Sequence, residues 1–433
     1  MASKVLAMLA TACAAVVLAG CGAEEAGSRP ARATTAAAPV APEAVLPAAF
    51  DGAHGWSIRG EYGSTVYAQP VGAPAAGLLL VRSGGPDGLR IVAHDPATGA
   101  VRWRSAPVPR PEGDVRPAVF VTAEGGREYA VLATTGAGAD HGVDGEAHST
   151  DLYVYGTDSS GVDVSPERHI SLPLAVGGYW AQRDGRVVLD DSEGVTVARV
   201  ADGSLTSYQD DAVALAPPLA CPHAIGSCVD STAVVAVTGA GPVVQGFQAF
   251  WVPGRWSSEQ AVPSGASRND GYRNVEVVGT PDGRTILAGW PTAEHRTWIW
   301  ALHDGATGRI IGTVACGFPP GTTAAPSAVD PVVSGDGRYL LAGLTAFDLG
   351  GGKGWCFGET DTRRGVELTA VDDTGTAYGT TDDGNTPVSA RLPTGAATPL
   401  PETTVIPDGI AAGAAYLGTS TEGGGSIAVY PPA

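Results

Sequence analysis

The sequence predicts an all-β fold built from repeated four-stranded antiparallel sheets, and three observations carry that expectation. The first is Leu89–Arg104, where Leu89, Ile91 and Ala93 alternate with polar positions and Val101 and Trp103 resume the alternation beyond Asp95-Pro-Ala-Thr-Gly99. The second is the recurrence of strand, glycine-containing turn and strand along the chain. The third is punctuation by 61 Gly and 33 Pro in 433 residues, which divides the chain into short alternating runs.

The hairpin at 89–104 follows from its residue types. Pro96 presets its own φ, Asp95 can accept from backbone N–H groups of the turn, and Gly99 supplies a positive-φ exit into the second strand. Trp103 then offers a large flat surface to a neighbouring sheet. Further outer hairpins are expected near 151–172, 194–208, 246–262 and 297–314. The last repeats the first most closely, with Ala301-Leu-His-Asp-Gly-Ala-Thr-Gly308 at its turn but no closing Trp.

Inner hairpins carry a second pattern, with tight turns in Gly279–Gly289 and Val333–Gly343 and weaker relatives at 182–189 and 123–130. Together the two patterns give units of roughly 35 to 60 residues, the spacing of β-propeller blades. Seven or eight units are counted, with eight favoured over seven. The final unit, Ala412–Tyr430, is short of strands, and Trp56–Tyr62 is placed to supply the missing outer strand and close the ring.

The residues Ala93, Asp95, Thr98, Gly99 and Trp103 resemble one repeat of the PQQ-like β-propeller family, whose outer hairpin reads roughly Ala-x-Asp-x-x-Thr-Gly-x-x-x-Trp. The resemblance implies a single propeller of four-stranded blades and says little about activity. Quinoprotein dehydrogenases of that family share a vicinal cysteine pair and a Glu, Asn and Asp set for calcium. This sequence has no adjacent cysteines and no such set at matching positions, so no cofactor is expected. The family's other branch is noncatalytic, with membrane-anchored propellers that hold partner proteins, and a lipidated chain resembles that branch.

The anchor is read from residues 1–21. Lys4 precedes an apolar run from Val5 to Leu18, and Leu18-Ala-Gly-Cys21 closes it with small residues before a cysteine. The run is short for a membrane span and reads as a secretory signal peptide over residues 1–20. Its last four residues resemble the bacterial lipobox, which implies cleavage before Cys21 and diacylglycerol on its thiol, hence palmitate-type anchoring to a bilayer. Residues 21–47, rich in Ala, Pro, Thr and Glu without aromatics, are expected to form a disordered tether. The propeller is expected over 48–433.

Composition narrows the partners. The formal charge of −19 excludes the phosphate neutralisation on which nucleic-acid binding depends. Lys4 and Lys353 are the only lysines among many arginines, a bias expected of a genome rich in G and C and read here as actinobacterial. The chain is then expected on the extracytoplasmic face of the cell membrane, as a monomer. In that oxidising setting Cys221–Cys228 and Cys316–Cys356 are the expected disulfides. A four-cysteine zinc site is the alternative, without the close paired spacing such sites show.

Three candidate sites remain. Asp140, His141, Asp144, Glu146, His148 and Asp151 crowd one long connection, where carboxylates suit calcium and imidazoles suit zinc; a solvated acidic loop is the other reading. Trp290, Trp298, Trp300 and Trp355 gather late in the chain, either as an aromatic platform or as inter-blade packing. Paired carboxylates at Asp190-Asp191, Asp210-Asp211 and Asp382-Asp383 fit turns and edges. No Gly-x-Ser-x-Gly elbow is present. The expected function is protein binding or scaffolding at the cell envelope, without catalysis. The alternative is a ligand-binding or carbohydrate-active site at the propeller axis, with metal dependence as a variant.

Overall fold

The computed structural model describes residues 39–59, 69–110, 117–137, 148–174, 176–191, 193–210, 215, 232–267, 274–293, 297–317, 326, 329–421 and 424–433. These residues form an eight-bladed β-propeller, each blade holding four antiparallel strands numbered outward from the axis. Blade 1 comprises Val71–Ala73, Leu78–Gly85, Gly88–His94 and Val101–Ser105, and blade 2 comprises Ala118–Glu124, Arg127–Ala137, His148–Gly156 and Arg168–Leu172. Blade 3 spans Gly178–Gln209, blade 4 Ala233–Ser257, blade 5 Glu276–Cys316, blade 6 Val332–Cys356 and blade 7 Val366–Pro399.

Blade 8 is completed from both ends of the described chain. Its first three strands are Gly409–Ala411, Ala414–Thr421 and Gly424–Tyr430, and its outermost strand is Trp56–Arg59. Trp56 pairs with Val429 and Arg59 with Ser426. The expected closure and the count of eight are therefore both observed. First strands of blades 8, 1, 2 and 3 pack in succession, as do those of 4 and 5 and those of 6, 7 and 8.

The cores lie between blades rather than within a single layer. Period-two alternation explains this, because successive side chains leave a sheet on opposite faces. In blade 2, Ala130 and Leu132 pack on Leu80 and Ile91 of blade 1, whereas Val131 and Ala133 join Val187 and Leu189 of blade 3. Similar layers fill the remaining gaps, from Val188, Val237 and Trp251 between blades 3 and 4 to Phe50, Tyr378 and Ala415 between blades 7 and 8.

Two segments differ from the expectation. Residues 39–47, assigned above to the tether, pack against blade 8: Ala41 N–H donates to Gly55 O at 3.0 Å and Tyr430 Oη donates to Pro42 O at 2.8 Å. Phe50 bridges to Pro432, so the same strap clasps the last strand. The local composition is poor in apolar area, but Ala41, Leu46 and Phe50 find a preformed apolar surface. The second difference lies in the hairpin expected at 151–172. Its connection contains Gly161–Val164, which leaves blade 2 and adds in parallel to the outer strand of blade 1.

Candidate functional site

The repeat motif proves to be a device for locking blades together. Asp95 Oδ1 accepts from Ala97 N at 3.1 Å, Thr98 N at 3.0 Å and Thr98 Oγ1 at 3.0 Å, while Gly99 takes φ 70°. Asp304, Thr307 and Gly308 reproduce this turn, with Asp304 Oδ1 accepting from Thr307 N at 2.8 Å and Thr307 Oγ1 at 2.7 Å. Hydrogen bonds to each carboxylate hold it below the ordinary range, for Asp304 chiefly that from Thr307; for Asp95, burial opposes the Arg102 and Thr98 bonds. Onto each turn docks a Trp from the outer strand of the preceding blade. Trp56 Nε1 donates to Pro96 O at 3.0 Å, and Trp256 Nε1 donates to Gly305 O at 3.0 Å. Trp103 is fully buried and donates to Thr157 O of blade 2 at 3.2 Å, and Trp355 lies against Gly395 of blade 7.

Sequence reasoning missed the histidines that precede these turns, although His94-Asp95 and His303-Asp304 repeat as a pair. His94 stacks on Trp56 at 5.0 Å and His303 on Trp256 at 6.0 Å. His303 is wholly buried; its Nε2 accepts from Trp290 Nε1 at 3.3 Å, which leaves Nδ1 to carry the proton towards Gly308 O at 3.2 Å. The neutral ring is fully satisfied, and protonating Nε2 would turn that acceptor towards another donor. Burial therefore lowers His303 to about 4, against the opposing Gly308 bond, and lowers His94 as well.

An unfolded histidine titrates near 6.5, so between that value and about 4 the unfolded chain binds the extra proton. His303 thus contributes its full stability above pH 6.5 and loses it as pH falls to about 4. The loss is about 3 kcal/mol across the window. Urea midpoints measured from pH 7.5 to 4.5 should fall accordingly, and His303→Gln should flatten the slope. An unchanged slope in the variant would remove His303 from this role.

Of the candidate metal loop, Asp140, His141, Asp144 and Glu146 lie outside the described residues. His148 and Asp151 are three apart on one strand and so face opposite sides of the blade. His148 is exposed, whereas Asp151 Oδ1 accepts from His169 Nε2 at 2.8 Å, and His169 stacks on Tyr153 at 4.5 Å. Among the described residues no group of three or more His, Cys, Asp or Glu is arranged to hold a metal.

Cys21, Cys221 and Cys228 also lie outside the described residues. Cys316 and Cys356 are bonded to one another and tie the outer strands of blades 5 and 6. That pairing overturns the four-cysteine zinc alternative, since neither sulfur remains a thiolate. The late tryptophans are packing groups: Trp290 is fully buried, and Trp298, Trp300 and Trp355 expose at most 8%.

Around the axis the turns between first and second strands are stitched by side chains. Glu128 of blade 2 accepts from Ala75 N and Ala76 N of blade 1, both at 3.2 Å. Gln182 of blade 3 donates to Thr280 Oγ1 of blade 5 at 2.8 Å, and Arg186 bridges the Thr238 and Gly283 carbonyls. Arg183 reaches across the axis to blade 6, donating to Gly335 O at 2.7 Å and Ser334 O at 2.6 Å. Its side chain is exposed to solvent. Desolvation by the protein atoms around it lowers its pKa, while Asp336, Asp373, Asp282 and Glu128 oppose that shift. The described histidines, His54, His94, His148, His169 and His303, all lie on third or outer strands or the connections to them.

Two clefts open elsewhere. One of about 510 Å³ spans the inner parts of blades 7, 8 and 1, with Thr369, Thr380, Asp408 and Tyr416 in its lining. The other, about 360 Å³, lies on blade 3 beside Asp191 and Glu193. Burial, with Asp191 and Asp210 nearby, raises the Asp190 carboxyl.

No protein-family model and no curated protein matches the chain. Solved structures do. The β-propeller domain of Cps50 (Swd1) from Myceliophteria thermophila is 10% identical, with a TM-score of 0.39, covering 86% of this chain and 99% of that one. Porphyromonas gingivalis dipeptidyl peptidase 4 is 11% identical, with a TM-score of 0.41, covering 83% of this chain and 54% of that one. The Dos1 propeller is 9% identical, with a TM-score of 0.38, covering 87% and 95%. The eight-bladed assignment stands on the strand pairing itself.

Proposed function

We propose that this protein is a lipid-anchored extracytoplasmic propeller that binds or scaffolds a partner protein at the cell envelope. The observation that carries the reading is the apolar Val5–Leu18 run ending in Leu18-Ala-Gly-Cys21, taken with a Cys316–Cys356 bond that suits an oxidising compartment. The anchor is the acylated Cys21, in our reading on the membrane of an actinobacterium, and the chain acts as a monomer without nucleic acid. Resemblance of the Asp95–Trp103 hairpin to PQQ-like repeats aligns the protein with that family's noncatalytic branch. The locked blades supply a rigid platform whose many connecting loops suit recognition of a protein surface.

In-cell cross-linking followed by affinity purification and mass spectrometry tests this, on the acylated protein and on Cys21→Ala. One envelope protein recovered in near-stoichiometric amount, and lost without the anchor, is the expected result. No partner in either form would sink the scaffold reading. The second reading, a small-ligand site near the axis, is favoured by the cleft across blades 7, 8 and 1.

A further inference from the structure

The larger cleft has a structural origin. The first strand of blade 8 pairs with its neighbour only from Gly409↔Tyr416 to Ala411↔Ala414, although the second strand runs on to Thr421. Blade 1 is truncated in the same way, with Val71–Ala73 covering three residues of Leu78–Gly85. In blade 2 the same pairing extends over seven positions, from Ala118↔Ala133 to Glu124↔Arg127. Where the axial cover is missing, the second strand of blade 8 faces an open space of about 510 Å³, within the usual size of a small-ligand site.

Asp408 is the one charged group in its lining, beside the neutral amide of Gln69. Asp408 Oδ2 accepts from Gly418 N at 2.6 Å, on the first stretch of uncovered strand, and among the described residues no cation pairs with this carboxylate. Thr369 and Thr380 bring hydroxyls from blade 7, and Ile406 and Pro407 bring apolar surface. A metal ion would need more ligands than one carboxylate. An anion would meet no positive group. A sugar would lack an open aromatic face, because the Tyr416 ring is packed between blades 8 and 1 at 8% exposure. The remaining match is an ammonium group on a short apolar body, whose three donors suit a carboxylate and hydroxyl oxygens. The chain's −19 charge enriches such cations around it.

We propose that this cleft binds a small organic ammonium, with Asp408 as its counter-ion and Ile406 and Pro407 against its hydrocarbon part. The proposal deepens the second, small-ligand reading and makes no use of the partner reading, so failure of the cross-linking experiment leaves it standing.

Isothermal titration of the full mature protein with n-butylammonium chloride, at pH 7.5 and constant ionic strength, tests it. A saturable isotherm with one site is expected. Asp408→Asn keeps an oxygen for the Gly418 N–H, so the fold is retained while binding weakens at least about tenfold, the scale of one charge-assisted hydrogen bond. Neutral 1-butanol should bind at least about tenfold more weakly. Asp361→Asn, which removes an exposed carboxylate elsewhere, should bind as the unaltered protein does. The proposal is overturned by an absence of saturable binding through the millimolar range, by equal binding of 1-butanol, by equal binding to Asp408→Asn, or by an equal loss in Asp361→Asn.

Discussion

Trp256→Ala should destabilise the protein by about 3–5 kcal/mol, the range seen for emptying a large aromatic site in a packed interior. The indole exposes 3% of its surface, stacks on His303, meets Phe250 edge-on at 5.6 Å, and donates to Gly305 O. Its removal vacates the seam between blades 4 and 5 and strands a buried carbonyl. Gly308 deepens the effect, because a side chain there would come within 2.5 Å of the indole; the turn has no bulk with which to refill the hole. Trp256→Phe narrows the terms, keeping a phenyl ring in the seam while losing the N–H bond and the pyrrole edge, for about 1–3 kcal/mol. Guanidinium unfolding monitored by circular dichroism measures both. If Trp256→Ala cost no more than Trp256→Phe, blade locking would rest on the hydrogen bond and not on the buried ring.

The second large effect is expected at the bond between blades 5 and 6. Cys316 and Cys356 are separated by 40 residues, and closing a loop of that size in the unfolded chain is worth about 4 kcal/mol in the chain-entropy account. Cys316→Ser with Cys356→Ser should lower stability by about that amount, without changing the blade pattern seen in far-ultraviolet circular dichroism. Dithiothreitol should lower the midpoint of the unaltered protein by more than that of the double variant, in which only the expected Cys221–Cys228 bond is left to reduce. A loss below about 1 kcal/mol would mean that outer-edge contacts, such as Gly312 against Gly352, hold the two blades unaided.

Legibility followed range. The hairpin at 89–104 was readable because Asp95, Pro96, Thr98 and Gly99 act within one turn, on backbone groups two or three residues away. The closure by Trp56–Arg59 was readable from a deficit, since blade 8 was one strand short. Tryptophan docking was not, because Trp103 finds Thr157 and Trp256 finds Gly305 across sequence separations of 54 and 49. The parallel addition of Gly161–Val164 gave no apolar signal, being largely exposed on the edge it extends. Residues 39–47 looked like tether because their own composition is weak, and it is the surface of blade 8 that orders them. At the candidate metal loop, Asp151 takes as partner His169, eighteen residues on across the hairpin, a residue outside the run of expected ligands.

The closure of blade 8 has a consequence for the order in which the chain becomes a protein. Among the described strands Trp56–Arg59 is made first, and the strand it needs, Gly424–Tyr430, last. Until that strand appears, the early segment has no sheet to join, and every partial ring presents one uncovered apolar blade face at its growing front. Such faces invite association with other chains. Completion therefore behaves as a single late event: a copy halted before residue 424 would carry seven well-formed blades, an idle N-terminal strand and an open seam.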